Sequence, residues 1–179
     1  MKKKMWISVV AIALVLCCAV GGTLAWLSDK TDPVANTFTV GDINITLTES
    51  DGLDLKMVPG NTITKDPKVT VKSGSEACWL FVKVEKSTNF DSFMTYEMAD
   101  GWTALTGADG VYYREVAASE ADTSFDVLKG NRVTVKDAIT KDQLQAVKTA
   151  NRPTLTFTAY AVQRDNIDDE AAAWAKVNP

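Results

Sequence analysis

From residue 37 onward the chain alternates apolar and polar residues with a period of two, which restricts it to a fold built from half-buried strands. The clearest run is LTFTAYAVQ. Leu155, Phe157, Ala159 and Ala161 fall on one side, and Thr154, Thr156, Thr158 and Tyr160 on the other. In NTFTVGDINITLT the apolar positions are Phe38 and Val40, then Ile43, Ile45 and Leu47, so the phase flips at Gly41-Asp42 and predicts a bulge or bend there. The run CWLFVKVEK puts Cys78, Leu80, Val82 and Val84 on one face. Trp79, Phe81, Lys83 and Glu85 occupy the other, which predicts a central strand partly covered on its second side.

Turn residues separate these runs. Val58-Pro59-Gly60-Asn61 fits a type II turn, Ser73-Gly74-Ser75 follows a short strand through Val69 and Val71, and Asp100-Gly101, Asp109-Gly110 and Gly130-Asn131 each predict a hairpin. Two stretches leave the strand pattern. Thr140 and Gln143 fit a capping box ahead of Leu144 and Val147, and the tail NIDDEAAAWAKVNP predicts a second short helix carrying Trp174. The pattern as a whole is an all-β sandwich or barrel with one or two short peripheral helices.

The first 25 residues are of another kind. Lys2, Lys3 and Lys4 precede an apolar run over residues 5–20, the layout of a secretory signal. As a helix, that run reaches roughly 24 Å against the ~30 Å hydrocarbon core. Extended through Leu27 it reaches about 35 Å, so length leaves an uncleaved anchor open. Thr23 and Ala25 are small residues at the −3 and −1 positions of a cut before Trp26, and they favour cleavage. Cys17 and Cys18 lack the preceding small residue of a lipoprotein signal and read as members of the apolar run.

Cleavage after Ala25 leaves 154 of the 179 residues. It takes 19 basic residues to 16 against 23 acids, a net charge of −7. That length suits one domain with a real core. An acidic surface argues against a nucleic-acid partner, since no basic face displaces counterions from phosphates. Only Cys78 remains, so no intramolecular disulfide forms. The chain has no histidine, which removes HExxH zinc sites, Ser-His-Asp and Cys-His catalysis, and imidazole proton transfer.

Three stretches resemble one family. GGTLAWLSDKTDPVANTFTVGDINITL joins a Gly-Gly-Thr cleavage region to an Asn-Thr-Phe…Gly…Ile first strand, MVPGNTITKDPKVTVKSGS carries a Pro-Gly-x-x-Ile strand, and LTFTAYAVQ is similar to a last core strand. Together they resemble the TasA/camelysin family of secreted proteins of Gram-positive bacteria. The resemblance implies a jelly-roll-like antiparallel β-sandwich whose signal peptide is cut by a SipW-type signal peptidase, and which assembles into extracellular biofilm-matrix fibres. The sequence as a whole divides the chain into a signal peptide over 1–25, an N-terminal segment over 26–37 that could serve as a donor strand, and a sandwich over 38–179. Camelysin-like relatives have been described as metalloproteases, and a chain without histidine departs from that description.

Single features keep two readings each. Cys78 is either a buried small apolar residue or an intermolecular disulfide partner. Asp165, Asp168, Asp169 and Glu170 either hold calcium or form the negative start of a helix. Trp79 and Phe81 form either an exposed patch or a second core layer.

The expectation for function is a secreted structural subunit of a biofilm matrix or cell-surface coat. It has no catalytic, cofactor or metal residues. Its partners are itself or related matrix subunits and, during export, the signal peptidase, and it touches the membrane only before cleavage. Trp26 and Leu27, freed by the cut, are the candidate contact with the next subunit. The alternative is a surface-displayed binding or adhesion module that grips a ligand through loops near Trp102 and Tyr112.

Overall fold

The computed structural model describes residues 42–50, 56–147 and 151–177. The chain divides into two units, Met1–Thr39 and Val40–Pro179, and everything described belongs to the second. Its strands are β1 (Ile45–Thr48), β2 (Thr62–Thr64), β3 (Lys68–Val71), β4 (Cys78–Lys86), β5 (Met94–Thr95), β6 (Thr103–Ala104), β7 (Val111–Val116), β8 (Thr123–Asp126), β9 (Arg132–Val135) and β10 (Leu155–Gln163). Three short helices accompany them: α1 (Phe90–Phe93), α2 (Lys141–Ala146) and α3 (Glu170–Val177). All pairings are antiparallel, in three sheets ordered β1-β3-β8, β10-β4-β7-β6 and β2-β9-β5. The result is the all-β sandwich that the alternation predicts.

The first and third sheets are two halves of one layer. β2 runs into β3 and β8 into β9, and the two long strands stay paired across the join. Val127 N–H donates to Pro67 O at 3.0 Å and Lys65 N–H to Asn131 O at 2.9 Å. Between the Lys68–Asp126 and Thr64–Arg132 pairs one strand advances four residues and the other six. The two extra residues are taken up by the turn at Lys129–Asn131, where Gly130 and Asn131 sit at φ 63° and 52°. Gly130-Asn131 is therefore a bulge and not the predicted hairpin. The chain keeps advancing along the same partner strand, and the bulge bends the ladder.

Asp100-Gly101 also differs from expectation. It turns at Gly101 (φ 87°), but the strands on either side belong to different sheets, because β5 pairs with β9 and β6 with β7. Asp109-Gly110 does close a hairpin, pairing Thr103 with Tyr113. The Pro59-Gly60 turn forms as predicted, with Asn61 N–H donating to Val58 O at 3.0 Å and Gly60 at φ 77°.

Alternation in β4 becomes a two-faced strand. Cys78, Leu80, Val82 and Val84 pack with Val69, Val71 and Val127 of the opposite layer to form the principal core. The other face of β4 is covered by α3: Trp79 and Phe81 are buried with Leu105, Val111, Ala173 and Trp174. Both are thus a second core layer and not an exposed patch. A third cluster, Ile63, Phe90, Met94, Leu128, Val133, Val135 and Ile139, fills the end beyond the bulge. Each such buried side chain contributes on the order of 1.5–3 kcal/mol by leaving water.

In β10, Leu155, Phe157, Ala159 and Ala161 face the principal core, with Tyr160 and Val162 toward α3. β10 lies at a sheet edge, so these side chains are only half-buried. In α2 the Thr140–Gln143 capping box closes in both directions, with Gln143 N–H donating to Thr140 Oγ1 at 3.2 Å and Thr140 N–H to Gln143 Oε1 at 2.9 Å. The one-turn helix α1 is absent from the sequence expectation.

Candidate functional site

Among the described residues, chemistry that needs a reactive side chain finds little material. Cys78 is fully buried between the layers, and burial pushes its thiol up to about 11, so it is a packed apolar group and a poor nucleophile. Of the acidic tail residues, Asp169 and Glu170 serve the start of α3. Asp169 Oδ1 accepts the Ala172 N–H at 2.7 Å and its carbonyl accepts that of Ala173 at 3.0 Å, the geometry of an N-cap. Among the described residues no three His, Cys, Asp or Glu side chains converge as a metal site.

The loop residues of the binding-module reading are structural. Trp102 is 9% exposed and its Nε1 donates to Asp126 O at 2.9 Å, joining one layer to the other. Beside it the Arg114 guanidinium lies 3.9 Å from the Phe125 ring centre and 5.2 Å from that of Trp102. Burial lowers the Arg114 pKa, and its Nε has no hydrogen-bond partner. The cation is held by aromatic faces. Tyr112 packs against the principal core. Trp102, Arg114 and Phe125 together close one side of the sandwich.

On the opposite side the described strands leave edges unpaired. β10 pairs with β4 alone and β2 with β9 alone, so among the described strands each has an unpaired outer edge. The β10 edge is nine residues long without charge, proline or glycine, whereas exposed edges are usually blunted by such residues. Between β2 and the Leu155 end of β10 lies a cleft of about 860 Å³. Ile63, Phe90, Met94, Val133, Leu144 and Leu155 form its floor, and Lys56, Lys65 and Arg152 also line it. Lys65 is paired with Glu49 at 2.5 Å and sits 5.4 Å from the Phe157 ring centre.

These cleft residues come from segments tens of residues apart and meet only through long-range pairing, so no local pattern announces them. The expected cleavage residues Thr23, Ala25 and Trp26, and the expected contact pair Trp26 and Leu27, lie outside the described residues. Among the described residues no helix is long and apolar enough to cross a membrane.

Residues 1–89 match the family model of Peptidase M73, described as camelysin metallo-endopeptidase. No curated protein and no solved structure gives a significant match. The description implies a metal, and the donor set among the described residues does not fit one. The chain has no histidine, the Cys78 sulfur is sealed in the core, and the described carboxylates do not cluster.

Proposed function

We propose that this chain, a member of the TasA/camelysin family through residues 1–89, is a non-enzymatic structural subunit of an extracellular biofilm matrix or surface coat. Membership of that family supports a secreted or cell-surface protein of a Gram-positive bacterium. The observation that carries the structural role is the asymmetry of the sandwich. One side is closed by Trp102 and Arg114, while the other presents the uncharged nine-residue edge of β10.

Such an edge accepts another strand, satisfying its open N–H and C=O groups. The proposed donor is segment 26–37 of a second copy, released when a SipW-type peptidase cuts between Ala25 and Trp26. Burying the Trp26 ring would remove roughly 150–250 Å² from water, an upper bound of about 4–6 kcal/mol. Pro33 cannot donate to a ladder, so pairing falls mainly to one side of it. Before cleavage the same segment continues into the apolar run, so assembly waits for export.

The test compares a chain starting at Trp26 with one starting at Asn36, by circular dichroism for folding and electron microscopy for fibres. The longer chain should polymerise and the shorter should stay folded and monomeric. Identical fibres from both would remove segment 26–37 as the joint. The adhesion-module alternative is less favoured, since Trp102 is buried in the core and Tyr112 is half-buried against it.

A further inference from the structure

The described lining of the cleft between β2 and β10 is of one charge sign. The full chain carries 23 acidic and 19 basic side chains. The described residues lining the cleft nevertheless include Lys56, Lys65 and Arg152 and no Asp or Glu. Glu49, which is not among those residues, reaches Lys65. Arg152 is exposed and makes no ion pair among the described residues. Below this rim most of the described lining side chains are apolar, with Thr154 and Thr156 the uncharged polar ones. Its volume of about 860 Å³ lies within the roughly 300–1,000 Å³ typical of small-molecule sites.

An apolar floor under a cationic rim fits a ligand with an apolar body and one anionic head. We infer that this cleft binds a monoacyl carboxylate, with its hydrocarbon chain along Ile63, Phe90, Met94 and Leu155 and its carboxylate at Lys65 and Arg152. A neutral extended peptide would use the strand edges and ignore the rim charge, and the two occupants therefore respond differently to changes at the rim. The inference rests on the cleft alone and not on fibre assembly.

The probe is cis-parinarate, a fluorescent acyl carboxylate, titrated against the exported protein recovered from outside the cell, with its methyl ester in a parallel arm. Wild type should saturate at one site per chain. The variant Lys65→Gln/Arg152→Glu should bind the acid at least about tenfold more weakly, a loss of ~1.4 kcal/mol. The ester should bind wild type and variant equally weakly. Arg152→Glu alone changes only an exposed side chain and preserves the comparison if the double variant melts early. Absence of saturable binding, an ester that binds wild type as tightly as the acid, or charge variants that bind the acid unchanged would each overturn the assignment.

Discussion

Replacing Trp174 with alanine tests whether α3 is an integral cover of the sandwich. Trp174 is 9% exposed, and its ring centre lies 5.3 Å from those of Phe81 and Tyr160, edge-to-face with the latter at 89°. Removing roughly 150–250 Å² of buried ring surface at ~25 cal/mol per Å² gives an upper bound of about 4–6 kcal/mol. Residual burial in the unfolded chain lowers that to ~3–5 kcal/mol, the range usual for aromatic truncations in cores. The loss should also spread. An eight-residue helix does not persist in water alone, so without its anchor α3 should fray and bare Trp79 and Phe81. Urea melts followed by far-ultraviolet circular dichroism and tryptophan fluorescence measure both effects. The expected result is a destabilisation of about 3–5 kcal/mol, reduced native helicity and a lower m-value, because the native state would already expose part of the surface. Trp174→Phe should recover more than half of the loss. A change below about 1 kcal/mol with an unaltered m-value would refute the claim that α3 seals the second face of β4.

Gly110→Ala should cost about 1–3 kcal/mol in the same melts, because φ is 74° and an added Cβ would sit 2.5 Å from Val84 O; a neutral substitution would mean the β6–β7 hairpin is misplaced. Arg114→Lys should cost ~1–2 kcal/mol, since an ammonium cannot stack on Phe125 and Trp102 together, and a loss too small to measure would mean that the guanidinium does not close that side. Cys78 should resist an aromatic disulfide reagent at pH 8 until the chain is unfolded. Its folded pKa of about 11 lies above the ordinary thiol value of ~8.5, so its stabilising contribution is complete below the latter and disappears as pH rises through the former. Rapid labelling of native protein would contradict its burial.

Strand identity was legible wherever alternation ran long. β10 carries a nine-residue strand pattern and in β4 Cys78, Leu80, Val82 and Val84 mark the core face, while Trp79 and Phe81 left the second face of β4 open; the reciprocal Thr140–Gln143 cap marks α2 equally well. Pairing was not legible. Gly130-Asn131 carries the residues of a hairpin turn, and both adopt positive φ. Whether the chain then reverses or merely bulges depends on the continuous 62–71 partner, which lies about sixty residues away in sequence. The turn at Asp100-Gly101 misled in the same way, since a local turn says nothing about which sheet receives the next strand. α1 was missed because one helical turn has no period to detect. The cleft was invisible for a deeper reason: Lys65, Phe90 and Arg152 become neighbours only when β2 and β10 take opposite layers.

The central claim is that the exported, processed chain is itself the building block of an extracellular polymer. Its most direct test is mass spectrometry of the N-terminal peptide in high-molecular-weight material recovered from the cell surface. The account predicts that this chain is a principal component and begins at Trp26. Polymer chains beginning at Met1, or a protein found outside the cell only as a monomer, would contradict it.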